Sequence, residues 1–237
     1  MATSMLCIGD SLTYWNHGFD KYVSELAPTM FPAEAVGSEV KPGASLEDML
    51  SESRFKRRIK DGAPGGNPWD VVVLQDDMPE ASVEAFRRAA RALVGCAKSA
   101  GCKRPILLAA WGYARLAAIS TEVIANAHRE LGSELGVEVA PVGRAFSVAR
   151  ERASAELGAG VAFELLGPDG EHPSPAGTFL MACTLIATLL LRGSETVATG
   201  WQQSWGCTEW RPAGVDEGTA EFLQDVAAQA VREWNAQ

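Results

Sequence analysis

The sequence has little positive charge, few histidines and no paired cysteines. Its 21 Lys and Arg stand against 30 Asp and Glu, which gives a net charge of −9, so a nucleic acid partner would be repelled and is not expected. The five cysteines include no Cys-x-x-Cys pair and have no histidine at zinc-ligand spacing. This spacing predicts no metal site. Because an odd number of cysteines cannot complete a disulfide framework, we also expect the thiols to be reduced.

The sequence also lacks a segment with the pattern of a membrane span or an export signal. The run 176–191 carries no charge, but it is shorter than the roughly 20 residues that a bilayer requires, so it predicts a buried helix. The first residues show no basic region followed by an apolar one, because 4–8 already has the pattern of a strand. We therefore expect a cytoplasmic protein with no membrane partner. The basic stretch 54–60 is interpreted as a solvated helix face.

The composition is typical of one globular domain, which we expect to span residues 1–237. The chain is 47% hydrophobic and 22% charged, and it contains no internal repeat, low-complexity tract or linker. Short apolar runs predict strands buried on both faces of a parallel sheet. These runs lie at 4–8, 70–74, 105–110 and 137–142, with a weaker one at 35–40.

Helical periodicity fills the intervals between the predicted strands. The clearest helix covers 83–97, opened by Pro79 and closed by Gly101. Further helices are predicted at 120–135, 144–157 and 219–234. The alternation predicts an α/β fold, a three-layer α/β/α sandwich with right-handed crossovers, whose active site lies at the carboxyl ends of the strands.

A polar segment, Gly9–Thr13 (Gly-Asp-Ser-Leu-Thr), directly follows the first predicted strand. The glycine permits a tight backbone path, and the N–H of Ser11 at a helix start is free to donate to a developing oxyanion. The alternative is a turn that only ends a strand and caps a helix.

A second polar segment, Asp169–Ser174, precedes the uncharged run. His172 is one of only three histidines in the chain, and it lies three residues after Asp169. This spacing can place the imidazole beside Ser11 while the carboxylate fixes its tautomer and stabilises the imidazolium. A surface turn is the alternative, but the occurrence of both segments at the two ends of an α/β pattern favours nucleophilic catalysis by serine.

The segments Gly9–Leu12 (Gly-Asp-Ser-Leu) and Asp169–Pro173 (Asp-x-x-His-Pro) resemble the first and last signature blocks of the SGNH (GDSL-type) hydrolases. The resemblance covers roughly residues 4–192. It implies a flavodoxin-like, five-stranded parallel sheet and a catalytic triad of Ser11, Asp169 and His172.

The resemblance also implies an oxyanion hole, in which the backbone N–H of Gly43 joins that of Ser11. A simple turn glycine is the alternative. The third block of the family has Gly-x-Asn, whereas this chain has Gln75-Asp76-Asp77 after its third strand. An ionised aspartate cannot donate a hydrogen bond but a glutamine amide can, so Gln75 is the expected third donor. A Gln here resembles a divergent, less-studied branch of the family.

Other side chains near the predicted site are candidates for substrate binding. Asp76 and Asp77 either cap the next helix or enter the site, where they would repel anions and favour a sugar hydroxyl or a cation. Loop aromatics and charges at the mouth could contact substrate, although core packing or loop anchoring is the alternative for each. These candidates are Asp10, Tyr14, Trp15, Trp111 and Arg115, with Tyr113 close by.

The remaining histidines and tryptophans have no partner motif. His17 and His128 are expected to be structural or exposed. The segment 193–218 concentrates three tryptophans among polar residues. We expect it either to cover the end of the sheet remote from the site or to form a homo-oligomer contact.

These observations together predict a serine esterase that acts on a short O-acyl, acetyl-type ester of a carbohydrate or another small polar molecule. The reaction would pass through an acyl-serine intermediate and require no cofactor. An acyltransferase uses the same chemistry and is one alternative. A non-catalytic binding protein with an impaired oxyanion hole is another. A flavodoxin-like nucleotide binder is weakened because the chain lacks a glycine-rich phosphate loop after the first strand.

Overall fold

Within the described residues, five parallel strands form a sheet in the order β2-β1-β3-β4-β5. The computed structural model describes residues 2–116, 118–156, 164–191 and 207–237. The strands are β1 (Met5–Gly9), β2 (Val36–Val40), β3 (Val71–Gln75), β4 (Arg104–Leu108) and β5 (Glu138–Ala140). The predicted flavodoxin-like order is confirmed.

Strands β1 and β3 are buried throughout, which explains why their sequences are continuously apolar. Met5 and Cys7 face one hydrophobic core, whereas Leu6 and Ile8 face the other. The edge strand β2 is only partly buried, and this accounts for its weaker apolar pattern.

Helices cover both faces of the sheet and produce the predicted three-layer sandwich. Helices α2, α7, α8 and α9 contribute to the core that contains Met5 and Cys7, and α3 to α6 contribute to the other. Their bounds are α1 (Ser11–Tyr14), α2 (Phe19–Leu26), α3 (Leu46–Ser51), α4 (Ser53–Asp61), α5 (Val83–Ser99), α6 (Thr121–Leu135), α7 (Val142–Glu156), α8 (Pro175–Leu190) and α9 (Glu217–Asn235).

Two predicted boundaries are wrong. Helix α5 is opened by Ser82, whose Oγ accepts a hydrogen bond from the Ala85 N–H at 3.1 Å, while Pro79 lies in a separate short 3₁₀ turn. The run 137–142 is only partly strand, because α7 already begins at Val142. Apolar residues at the start of a helix extended the apparent strand. The basic stretch forms α4, which buries only its apolar side chains.

The described end of the tryptophan-containing segment packs against α2 and α8. Thr208 donates from its N–H to the Leu26 carbonyl at 2.7 Å, and Trp210 packs edge-on against Tyr22 at 5.0 Å. The first two tryptophans of the segment fall outside the described residues. Helix α8 is buried, as predicted, and no helix in the described part of the chain is long and apolar enough to cross a membrane.

Candidate active site

The turn after β1 holds Ser11 at the first position of α1, where the side chain is only 8% exposed. Asp10 caps the helix, its Oδ1 accepting from the Leu12 N–H at 2.7 Å. The Ser11 N–H has no hydrogen-bond partner among the described residues. A Cβ at Gly9 would overlap Thr13 Oγ1 and the side chain opposite on β3. The tight path that delivers Ser11 therefore requires a glycine.

Ser11, His172 and Asp169 form a continuous hydrogen-bonded relay. His172 Nε2 lies 2.9 Å from Ser11 Oγ, and its Nδ1 lies 2.8 Å from Asp169 Oδ2. The other oxygen of Asp169 accepts from the backbone N–H groups of Glu171 and His172, both at 3.0 Å. The Glu171 N–H and the His172 side chain are the main causes that lower the pKa of Asp169 to about 2. An ionised Asp169 fixes the proton on Nδ1 and leaves Nε2 to accept the serine proton.

Three contacts anchor the loop that carries His172. The Trp15 ring stacks on the imidazole with 3.9 Å between centroids. Trp111 donates from Nε1 to the Glu171 carbonyl at 3.0 Å. Asn16 donates from Nδ2 to the Pro173 carbonyl at 2.7 Å. The turn after Ser11 therefore holds the turn that carries His172.

Asn16 is a residue of the candidate site that the sequence did not single out. Its φ of 52° and the φ of 74° at His17 are left-handed, a conformation that is rare outside glycine and that asparagine tolerates better than most residues. Its Nδ2 also donates to Thr178 Oγ1 at 2.8 Å. The available signal was an asparagine directly before His17-Gly18, a composition typical of turns with positive φ.

Gly43 offers the second free backbone donor of the expected oxyanion hole. The Lys41 N–H donates to the Gly9 carbonyl at 3.0 Å, so the chain beyond β2 continues alongside the end of β1. Gly43 is exposed, has a left-handed φ of 62° and has no partner for its N–H among the described residues. Ser11 and Gly43 thus present unpaired N–H groups beyond the carboxyl ends of adjacent strands.

The structure does not place Gln75 where it could donate to a substrate. The side chain is fully buried. Its Nε2 donates to Asp10 Oδ2 at 2.9 Å and to the Asp76 carbonyl at 3.0 Å. Its Oε1 accepts from the Asp10 N–H at 3.0 Å and from Thr13 Oγ1 at 2.9 Å. Both amide hydrogens are therefore used behind the turn that carries Ser11, and the expectation of Gln75 as third donor is corrected.

Three carboxyl side chains, Asp10, Asp76 and Asp77, form a buried carboxyl cluster at the ends of β1 and β3. Burial raises the pKa of Asp10 well above its ordinary range, and repulsion from Asp77 adds to the effect. Burial also raises the pKa of Asp76 to about 7 and raises that of Asp77. Among the described ranges no group of His, Cys, Asp and Glu side chains is placed to hold a metal ion.

The two post-strand aspartates have different partners. Asp76 Oδ1 accepts from the Leu46 N–H at the start of α3, while its Oδ2 is buried without a partner among the described residues. Asp77 Oδ1 accepts from the Tyr113 hydroxyl at 2.8 Å. Asp10 and Asp76 are therefore structural supports of the site rather than residues that contact a substrate.

The candidate substrate-binding residues separate into anchors and exposed groups. Trp111 is buried, stacks on Phe146 at 4.2 Å and anchors the histidine loop, so its placement fits the anchoring alternative. Arg115 forms ion pairs with Glu80 and Glu171 and ties the β3 loop to the histidine loop. Tyr14, at 38% exposed, and the partly buried Trp15 remain accessible.

The other two histidines lie apart from the relay. His128 is buried and stacks on Phe86, and burial lowers its pKa to about 4. His17 is exposed. Both placements agree with the expectation of structural or exposed residues.

No protein-family model and no curated protein matches the sequence, but solved structures match its fold. TesA has a TM-score of 0.60 at 15% identity, over 79% of this chain and 98% of its own. A catalytic mutant of Axe2, an acetylxylan esterase from Geobacillus stearothermophilus, has a TM-score of 0.57 at 16% identity, over 81% and 97%. A lipolytic protein of the G-D-S-L family from Veillonella parvula has a TM-score of 0.56 at 14% identity, over 76% and 94%. The chain therefore has the SGNH hydrolase fold.

Proposed function

We propose that this protein is a serine hydrolase that cleaves a carboxylic ester through an acyl-serine intermediate. The observation that carries the proposal is the relay from Ser11 through His172 to Asp169, with contacts of 2.9 Å and 2.8 Å. A site that had lost its activity would not be expected to retain both contacts together with an unpaired N–H on the serine.

Each step of the reaction uses a group of this chain. His172 Nε2 takes the proton from Ser11 Oγ as the oxygen attacks the ester carbonyl, and ionised Asp169 stabilises the imidazolium. The N–H groups of Ser11 and Gly43 stabilise the oxyanion of the tetrahedral intermediate. The intermediate collapses as His172 protonates the leaving alcohol. A water molecule, deprotonated by His172, then releases the acid and regenerates the serine.

The comparisons support the assignment of the three side chains. Structures of Axe2 include catalytic mutants at a serine, an aspartate and a histidine, the last two three positions apart. Asp169 and His172 have the same spacing, and Ser11 follows the first strand in this chain. The recurrence of this spacing on a shared fold supports a common use of the three groups.

We further propose that the substrate is a short O-acyl ester of a carbohydrate or another small neutral molecule. The acetylated substrate class of Axe2 supports the acyl part. Glu80 and Glu171 share a single cation, Arg115, and the net negative charge of this group disfavours anionic substrates, because like charges repel. Tyr14 and Trp15 offer exposed aromatic surface at the mouth, on which a sugar ring can pack. This chemistry requires no cofactor.

Turnover of p-nitrophenyl acetate, combined with fluorophosphonate labelling, tests the proposal. Ser11→Ala and His172→Ala should each lower kcat by about 10⁴- to 10⁶-fold, and the double variant should be no slower, because triad members act as a unit. Ser99→Ala is the matched control, since Ser99 is exposed at the end of α5. Mass spectrometry should locate the label on Ser11. Near-normal turnover by folded Ser11→Ala would show that the nucleophile is another residue.

A further inference from the structure

Asp77 lies close to the turn that carries the proposed nucleophile. Strands β1 and β3 pair in parallel with Ile8 opposite Leu74. Beyond these strands Asp77 faces both parts of the relay, because its carboxyl interacts electrostatically with Asp10, which precedes Ser11, and with Glu171, which precedes His172. The Asp10 N–H donates to Gln75 Oε1 at 3.0 Å, so the residue before Ser11 is held against the end of β3.

The surroundings of Asp77 are crowded with acidic groups. Asp10 approaches from the end of β1, Asp76 and Glu80 lie on the same loop, and Glu171 approaches from the histidine loop. Tyr113 and Arg115 face Asp77 from the segment after β4. Arg115 is the cation in this set, and it is already paired with Glu80 and Glu171. An extra negative charge on Asp77 is therefore poorly compensated.

The hydrogen bonds of Asp77 leave one oxygen available. Burial raises the pKa of Tyr113, so the phenol keeps its proton and donates to Asp77 Oδ1. Asp77 Oδ2 has no hydrogen-bond partner among the described residues. A proton retained by this carboxyl therefore belongs on Oδ2, where it converts an acceptor into a donor.

We propose that Asp77 acts as a neutral carboxylic acid whose Oδ2–H donates the third hydrogen bond to the oxyanion formed when Ser11 attacks the ester. The inference rests on the proposed function and deepens it. The proton stays on Asp77 throughout, so the step adds a hydrogen bond and transfers nothing. Charge on the oxyanion strengthens this bond in the transition state, which is where a donor accelerates the reaction.

The protonation of Asp77 gives the reaction a specific pH dependence. Burial, followed by the charges on Glu80 and Glu171, raises the pKa of Asp77 in the folded protein despite the opposing hydrogen bond from Tyr113. The donor is therefore present on the acid side and is lost as the pH rises through this raised value. An amide at the same position donates at every pH, so Asp77→Asn should remove this alkaline loss of kcat.

The test compares kcat for p-nitrophenyl acetate from about pH 5 to about pH 9, where carboxyl groups with raised pKa values titrate. The wild-type protein should lose about 10²- to 10³-fold in kcat on the alkaline side, Asp77→Asn should not, and Asp77→Ala should lose a similar factor already in acid. Asp61→Asn, at the exposed end of α4, is the matched control and should follow the wild type. An unchanged alkaline decline in Asp77→Asn would overturn the proposal.

A direct titration makes the test independent of turnover. In protein labelled with ¹³C at aspartate carboxyls, the resonance that disappears in Asp77→Asn belongs to Asp77, and its titration should lie above the ordinary carboxyl range. An ordinary titration, with Ser11 labelled normally by fluorophosphonate, overturns the role of Asp77 and leaves the hydrolase assignment intact. Absence of labelling at Ser11 overturns both, because no oxyanion then forms.

Discussion

Gln75→Ala should act mainly on stability, because the Gln75 amide is a structural link between β3 and the turn that carries Ser11. Truncation removes four buried hydrogen bonds, two to Asp10, one to Thr13 and one to the Asp76 carbonyl. Each buried group left without a partner costs about 1–3 kcal/mol, and the four costs are not additive because the partners are neighbours. We therefore expect a loss of about 3–5 kcal/mol in the free energy of unfolding.

Urea unfolding followed by circular dichroism measures this loss. Gln224→Ala is the matched control, because Gln224 lies partly buried on α9 and its side chain has no hydrogen-bond partner among the described residues. This substitution should change stability by about 0.5 kcal/mol or less. Since domains are typically stable by about 5–15 kcal/mol, folded Gln75→Ala should be obtainable at low temperature.

The kinetics of the same variant decide between a structural role and a substrate contact. If Gln75→Ala unfolds within about 1 kcal/mol of the wild type but loses about 10²- to 10³-fold in kcat at constant KM, the amide donates to the oxyanion. That result would refute its assignment as a buried link.

Three further predictions follow from local geometry. Burial raises the pKa of Asp76 to about 7, so the contribution of the protonated carboxyl to stability is present in acid and is lost as the pH rises from about 4 to about 7. Relative to Asp76→Asn, the wild type should lose up to about 4 kcal/mol in the free energy of unfolding over this range, and the same pH dependence in urea unfolding of both proteins would contradict this. Asn16→Ala should be about 1 kcal/mol less stable than Asn16→Gly in thermal unfolding, because both lose the same hydrogen bonds but only alanine is strained at a φ of 52°; equal stabilities would argue against strain. Gly9→Ala should lower the free energy of unfolding in urea by about 1–3 kcal/mol, because the added Cβ overlaps Thr13 Oγ1. Gly95→Ala has open space at its Cβ and should be neutral or stabilising, so similar effects at both sites would contradict the steric argument.

The layered fold was predictable because elements that are buried on all sides have continuously apolar sequences. Strand β3 contains an uninterrupted Val-Val-Val-Leu, and α8 has no charged residue, so their positions follow from composition. The start of α5 was harder. Both Pro79 and Ser82 are suitable helix-opening residues, and only the contact from the Ala85 N–H to Ser82 decides between them.

The relay was predictable from residue types, but the direction of Gln75 was not. The last residue of a strand can turn toward the substrate or back toward its neighbour, and the choice depends on what the adjacent strand leaves open. Gly9 has no side chain, which creates the space that Gln75 fills. The orientation of Gln75 therefore depends on which residue of β1 lies beside it, and it can be predicted only once the register of β1 and β3 is known.

The relay also joins distant parts of the chain, which has a consequence for biosynthesis. Ser11 and His172 are 161 positions apart, and the hydrogen bond from Asn16 to the Pro173 carbonyl joins residues 157 positions apart. Closing such a loop carries a large entropy cost, which the intervening strands and helices reduce by packing first. A nascent chain exposes Ser11 early but lacks the proposed base until His172 has left the ribosome. Catalytic competence should therefore appear late and abruptly, which makes regained activity a stringent reporter of completed folding.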